Sequence, residues 1–169
     1  MICTFFGHSD APEAVKPALK AAIIELIEKE HVTGFYVGNH GNFDRMTISI
    51  LSELAKTRSI RFYVVLAYQP TEKDADYLAH TVLPDGVETI PPRFAINYRN
   101  RFMIENADFV ITYVTHSWGG AAKFKQIRCW MMVAHLTELT ATSANSALKR
   151  SLTMTMWSLL LIILTPKCF

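Results

Sequence analysis

The chain of 169 residues is long enough for one packed domain and short for two. Apolar residues supply 50% and charged residues 19%, which excludes a disordered chain, and a formal net charge of +2 excludes a molecule that is basic throughout. The average hides an asymmetry: residues 1–124 carry 12 Lys/Arg against 14 Asp/Glu, residues 125–169 carry five against Glu138 alone, and all seven glycines lie at or before Gly120.

Ile2–Phe6 is a short apolar run closed by Gly7, the pattern of a buried strand. The next segment, Gly7-His8-Ser9-Asp10-Ala11-Pro12-Glu13, carries helix-start residues, although Pro17 moves the main helix to near that proline or offsets a first turn from it. Leu19, Ala22, Ile23, Leu26 and Ile27 then repeat at helical spacing. Gly34–Val37 reads as the second strand, and Phe43–Lys56 as a helix with Phe43, Met46, Ile50, Leu51 and Leu54 on one face. Arg61–Ala67 is the third strand, and Tyr68–Pro92 a long excursion of the kind that often carries function. Phe94–Asn106 is expected to be helical, Asp108–Val114 a strand, and a helix begins after Thr115-His116-Ser117-Trp118-Gly119-Gly120.

Continuously apolar strands alternating with helices predict an α/β fold, a Rossmann-like three-layer sandwich around a mostly parallel central sheet. In such sheets ligands sit beyond the carboxyl ends of the strands. The loops Gly7–Asp10, Gly38–Asp44 and Thr115–Gly120 each follow a strand directly and are expected to line one rim. Gly119-Gly120 at a helix start can cradle a phosphate with backbone N–H groups, or can simply make a tight turn. Thr115 and Ser117 can add hydroxyl donors there, and Trp118 can cover a ring. Asp44 can accept from a ribose hydroxyl or cap its helix. Asn39 and Asn42 can read a base edge or tolerate left-handed turn geometry. Arg99 and Arg101, two residues apart on a helix, cannot share a face, so one can reach a ligand while the other is solvated or paired.

Three histidines, His8, His40 and His116, fall in these loops, but no close-spaced ligand pair such as HExxH accompanies them, and no metal site is expected. GxSxG, Walker and GxGxxG motifs are absent from the sequence. Cys3, Cys129 and Cys168 form no CxxC pair and suit reduced thiols in a cytoplasmic protein, with Cys3 a small core residue. The start of the sequence has no basic signal-peptide region, and Leu152–Leu164, diluted by Thr153, Thr155 and Ser158, is short for a transmembrane span.

Thr4-Phe5-Phe6-Gly7-His8, Phe35–Asp44, Val64-Val65-Leu66-Ala67-Tyr68, Arg99-Asn100-Arg101 and Ala107–Phe124 together resemble the YpsA-like branch of the SLOG superfamily, over about residues 2–124. The resemblance implies a Rossmann-like sheet that binds a nucleotide or nucleotide-derived ligand, with Gly7, His8, Gly38, Asn39, Gly41, Asp44, Arg99, Thr115, Ser117, Trp118, Gly119 and Gly120 around it. The superfamily includes the LOG phosphoribohydrolases and the DNA-binding DprA proteins. Arg99 matches the arginine of the LOG Arg-Lys pair, but Asn100 replaces the lysine, and Lys123 or Lys125 falls where the catalytic glutamate belongs. A lysine cannot do a carboxylate's work at an oxocarbenium-like centre. The expectation is therefore a ligand-binding sensor or regulatory module with no assigned catalytic residue. A hydrolase using Asp44 or Asp10 instead is the alternative. A DprA-like role on single-stranded DNA is disfavoured by the near-neutral charge of residues 1–124. The sequence leaves a homo-oligomer open.

The resemblance ends near Lys125. Gln126–Leu139 reads as helical and Thr140–Ser146 as polar. Leu159–Leu164 either serves as the final strand after an atypical linker or belongs to a tail from a shifted reading frame or truncation, whose Trp157–Leu164 run favours aggregation or membrane-surface contact.

Overall fold

The computed structural model of the chain describes residues 1–70, 80–114, 133–134 and 160–164. Its parallel strands are β1 (Ile2–Gly7), β2 (Gly34–Val37), β3 (Arg61–Val65), β4 (Thr81–Val82) and β5 (Phe109–Tyr113). Three helices alternate with them: α1 (Lys16–Lys29), α2 (Asn42–Ala55) and α3 (Pro92–Glu105). Two further strands, β6 (Val133–Ala134) and β7 (Leu160–Leu164), complete a seven-stranded sheet of order β4-β3-β2-β1-β5-β7-β6. The first five strands run parallel, β7 is antiparallel to β5, and β6 is antiparallel to β7. The α/β sandwich with a mostly parallel sheet is thus the fold of this chain.

Local sequence accounts for most boundaries. A 3₁₀ turn at Glu13–Val15 precedes α1, and Pro17 sits in the first helical turn, where its missing N–H costs no hydrogen bond. The break and the helix start anticipated around Pro17 therefore both occur. Within Tyr68–Pro92 the chain adds β4, which pairs Val64 with Thr81, and a short 3₁₀ helix at Val87–Thr89. Residues 71–79 of that excursion lie outside the described residues.

One expectation is corrected. Val133–Ala134, inside the segment read as helical, form a strand opposite Ile163 and Ile162. Pairing with a neighbouring strand outweighs the weak local helical pattern, because the backbone partners come from β7, distant in sequence. Leu160–Leu164 in turn lies along β5, with Ile162 opposite Ile111.

The sheet is covered on both faces. Alternate residues Cys3, Phe5, Phe35, Val37, Phe62, Val64 and Ile111 face α1 and α2, meeting Leu19, Ile23, Phe43, Met46, Ile50 and Leu51. The intervening positions Phe6, Tyr36, Val65 and Val110 pack against Phe102, Met103 and Ile104 of α3. The chain passes from β1 through α1 and α2 towards β3, then returns through α3 to β5 on the other side of β1. The strand order thus reverses between β1 and β5, and the loops after β1, β2 and β3 lie at the carboxyl ends of the parallel strands, the edge at which such sheets take ligands.

Candidate functional site

The loops after β1 and β2 are bonded to each other. The Asn42 N–H donates to the Ser9 carbonyl at 2.8 Å, and the Asn42 side-chain amide donates to the Ala11 carbonyl at 2.7 Å. The His8 N–H reaches the Tyr113 carbonyl at the end of β5, 3.3 Å away, and so ties the first loop to a third strand. Gly41 has φ +98°, a left-handed backbone, and an added Cβ would stand 2.5 Å from Ser9 Cα. A glycine is required there for the two loops to meet. Gly7 allows another close approach, since a Cβ on it would enter the ring of Phe43, which stacks on Tyr113 at a centroid distance of 6.0 Å.

Convergence of the first two loops agrees with the rim expected from the sequence, but several of their amides are spent within the protein. The N–H groups of His8, Ala11, His40 and Asn42 all donate to protein oxygens. Asn42 is a tether between loops, not a base reader. Of the remaining rim residues, Thr115, Ser117, Trp118, Gly119 and Gly120 lie outside the described residues, as does His116.

The chemistry that the described residues do bring together lies at Gly38, immediately after β2. A Cβ on Gly38 would stand 2.5 Å from Arg99 Nη1 and closer still to Asp44 Oδ2. The bare glycine thus leaves room for a carboxylate from the first turn of α2 and a guanidinium from α3. Both side chains are buried, Asp44 at 7% and Arg99 at 4% exposure. Asp44 Oδ2 accepts the His40 N–H at 3.0 Å, so the carboxylate reaches back four residues and holds the loop that precedes its own helix. Arg99 Nη1 donates to the Val65 carbonyl at the end of β3, 3.1 Å away. Arg99 Nε is buried and finds no hydrogen-bond partner among the described residues. Arg101 is exposed and pairs with Glu105 at 2.7 Å, so the two arginines divide between site and surface as their spacing requires.

Burial pushes the Asp44 carboxyl up to about 6, against the opposing pull of the Arg99 charge and the His40 N–H. Burial also lowers the Arg99 guanidinium from its ordinary value, opposed by the charge of Asp44 and by Tyr68. The pair therefore combines an acceptor that titrates near neutrality with a cation that has a donor to spare.

Comparison with protein-family models, with curated protein sequences and with solved structures finds no match to this chain.

The outer part of the site holds His40 and Tyr68. His40 Nδ1 lies 2.7 Å from Asn39 Oδ1, and its ring meets Tyr68 edge-on at 6.3 Å between centroids. Tyr68 is 42% exposed and donates its hydroxyl to the Pro92 carbonyl at 3.1 Å. Tyr68, inside the long excursion, is not among the residues expected at the rim, yet it stands just beyond β3 as the rim loops stand just beyond β1, β2 and β5. Among the described residues no group of three His, Cys, Asp or Glu side chains can hold a metal ion. No described helix is long and apolar enough to cross a membrane.

Proposed function

We propose that the chain binds a nucleotide or nucleotide-derived molecule beside Gly38 and acts as a cytoplasmic sensor or regulatory module. The observation that carries this reading is the buried Arg99 with its unpartnered Nε, since leaving such a donor unmet costs free energy that a ligand oxygen would recover. A phosphate or sugar oxygen accepts from Nε, and Asp44 accepts from a sugar hydroxyl. The parallel sheet adds support, because the pair stands at the carboxyl ends of β2 and β3, the edge at which open α/β sheets take ligands.

Calorimetric titration with AMP, NAD and ADP-ribose tests the reading. At least one is expected to bind saturably. Arg99→Lys, which keeps the charge but loses the fork, and Gly38→Ala, which fills the gap, each weaken that binding about ten-fold or more while the circular dichroism stays native. A folded chain that binds none of the three defeats the proposal.

A second reading rests on Asp44. A carboxyl held at about 6 beside a cation is suited to proton transfer, the requirement for a hydrolase that lacks the usual glutamate. Release of free base from a nucleoside monophosphate, abolished in Asp44→Asn, favours turnover over binding alone.

A further inference from the structure

Large apolar side chains exposed singly need no explanation, but Tyr68 differs from a stray surface ring in three respects. Its hydroxyl is spent on the Pro92 carbonyl, so the ring is pinned across the gap between β3 and α3. One side of it is braced by the edge-on His40 ring. It also follows Val65, whose carbonyl accepts from Arg99 Nη1, by only three residues, and it lies within electrostatic reach of the Arg99 guanidinium that carries the unpartnered Nε. A pinned aromatic ring loses little conformational freedom when it stacks on a ligand, and every nucleobase offers a face to stack.

We infer that Tyr68 is the base platform of the site: its exposed ring stacks on the aromatic heterocycle of a ligand whose phosphate or sugar oxygens engage Arg99 and Asp44. This rests on the nucleotide reading and deepens it, because it makes Tyr68 the residue that selects nucleotides over simple sugar phosphates. Asp44 and Arg99 meet only the polar half of such a ligand and cannot make that distinction.

The test is titration of the full chain with AMP and with ribose 5-phosphate, in the native protein and in Tyr68→Phe and Tyr68→Leu. Both variants lose the hydroxyl tether to Pro92, so the contrast between them isolates the ring. The native chain is expected to prefer AMP by about ten-fold, the scale of one base–aromatic stack, and Tyr68→Phe, whose ring is no longer pinned, keeps a reduced part of that preference. Tyr68→Leu loses that preference, its AMP affinity falling to that of ribose 5-phosphate, whose own affinity is unchanged. The base protons of AMP shift upfield on binding to the native chain and to Tyr68→Phe but not to Tyr68→Leu. The platform is overturned if the native chain binds both molecules equally, if Tyr68→Leu weakens both alike, or if Tyr68→Phe fails as completely as Tyr68→Leu. Binding of ribose 5-phosphate without any preference for AMP sinks the platform alone. Binding of neither also sinks the platform, and the nucleotide reading falls with it when NAD and ADP-ribose fail to bind as well.

Discussion

The two faces of the sheet are built from the same strands yet differ in kind. Towards α1 and α2 the strands present Cys3, Phe5, Phe35, Val37, Phe62, Val64 and Ile111, an apolar surface closed by a large apolar core. Towards α3 the alternate positions include Thr4 and Thr112 beside Phe6, Val65 and Val110, and α3 itself buries Arg99 and Asn100. Thr4 meets its burial by donating to the Tyr36 carbonyl at 3.1 Å, and Arg99 does so only in part. Stability is concentrated on the first face, whereas the second buries the guanidinium of Arg99, which stands beside Asp44 of α2 at Gly38. A sheet clad on both sides can accept that imbalance because the larger core offsets the cost of burying charge on the smaller one.

The comparison is broken most directly by truncating one ring on each side. Phe35→Ala, on the α1/α2 face, is expected to cost about 3–5 kcal/mol in urea unfolding, the usual range for a fully buried phenylalanine. Tyr36→Ala, its neighbour on the other face and only partly buried, costs about 1–2 kcal/mol. Equal losses would mean that the faces share the stabilising work.

Arg99→Met sharpens the second half. Removing the cation strands a buried carboxylate, so the loss is about 3 kcal/mol at pH 7 and smaller at pH 5, where Asp44 is largely protonated. Adding Asp44→Asn to Arg99→Met recovers part of it, and a double-mutant cycle measures the coupling.

Asp44 gives the second half a pH dependence of its own. Its carboxyl moves from an ordinary value of 3.8 to about 6 on folding, so the folded state holds the proton more tightly. The resulting stabilisation is fully present below 3.8 and is lost as pH rises through about 6. It amounts to about 2–3 kcal/mol across that window, and stability measured for the native chain minus that for Asp44→Asn shows it as a falling slope. The smallest effect is expected at the surface. Lys20→Ala, which breaks an exposed ion pair with Glu53, leaves the unfolding midpoint unchanged within error.

Much of this was legible in the residues. The apolar strands around Phe5, Phe35, Val64 and Ile111, the helical stripe from Leu19 to Leu26, and the role of Pro17 all follow from short-range periodicity and backbone chemistry. The rule that loops after parallel strands share a rim brought Gly38, Asp44 and Gly41 into view together. The division between Arg99 and Arg101 followed from helix geometry. Three things were not legible. Asn42 is a cross-loop tether because Ser9 and Ala11, more than thirty residues away in sequence, supply its acceptors. Tyr68 is pinned by Pro92, at the far end of the excursion that follows it. Val133–Ala134 became a strand only because β7 offers a partner.

Local pattern alone thus determined the fold class, the order of the principal elements and the candidacy of Asp44, since period, glycine and proline act over a few residues, whereas Arg99 was singled out from Arg101 by the resemblance. Tertiary structure decided that the two charges stand together at Gly38, that one arginine nitrogen finds no acceptor among the described residues, and that the Tyr68 ring is held between His40 and Pro92. Burial and hydrogen-bond satisfaction depend on every neighbour in space, and those neighbours come from separate strands and helices that no window along the chain contains together.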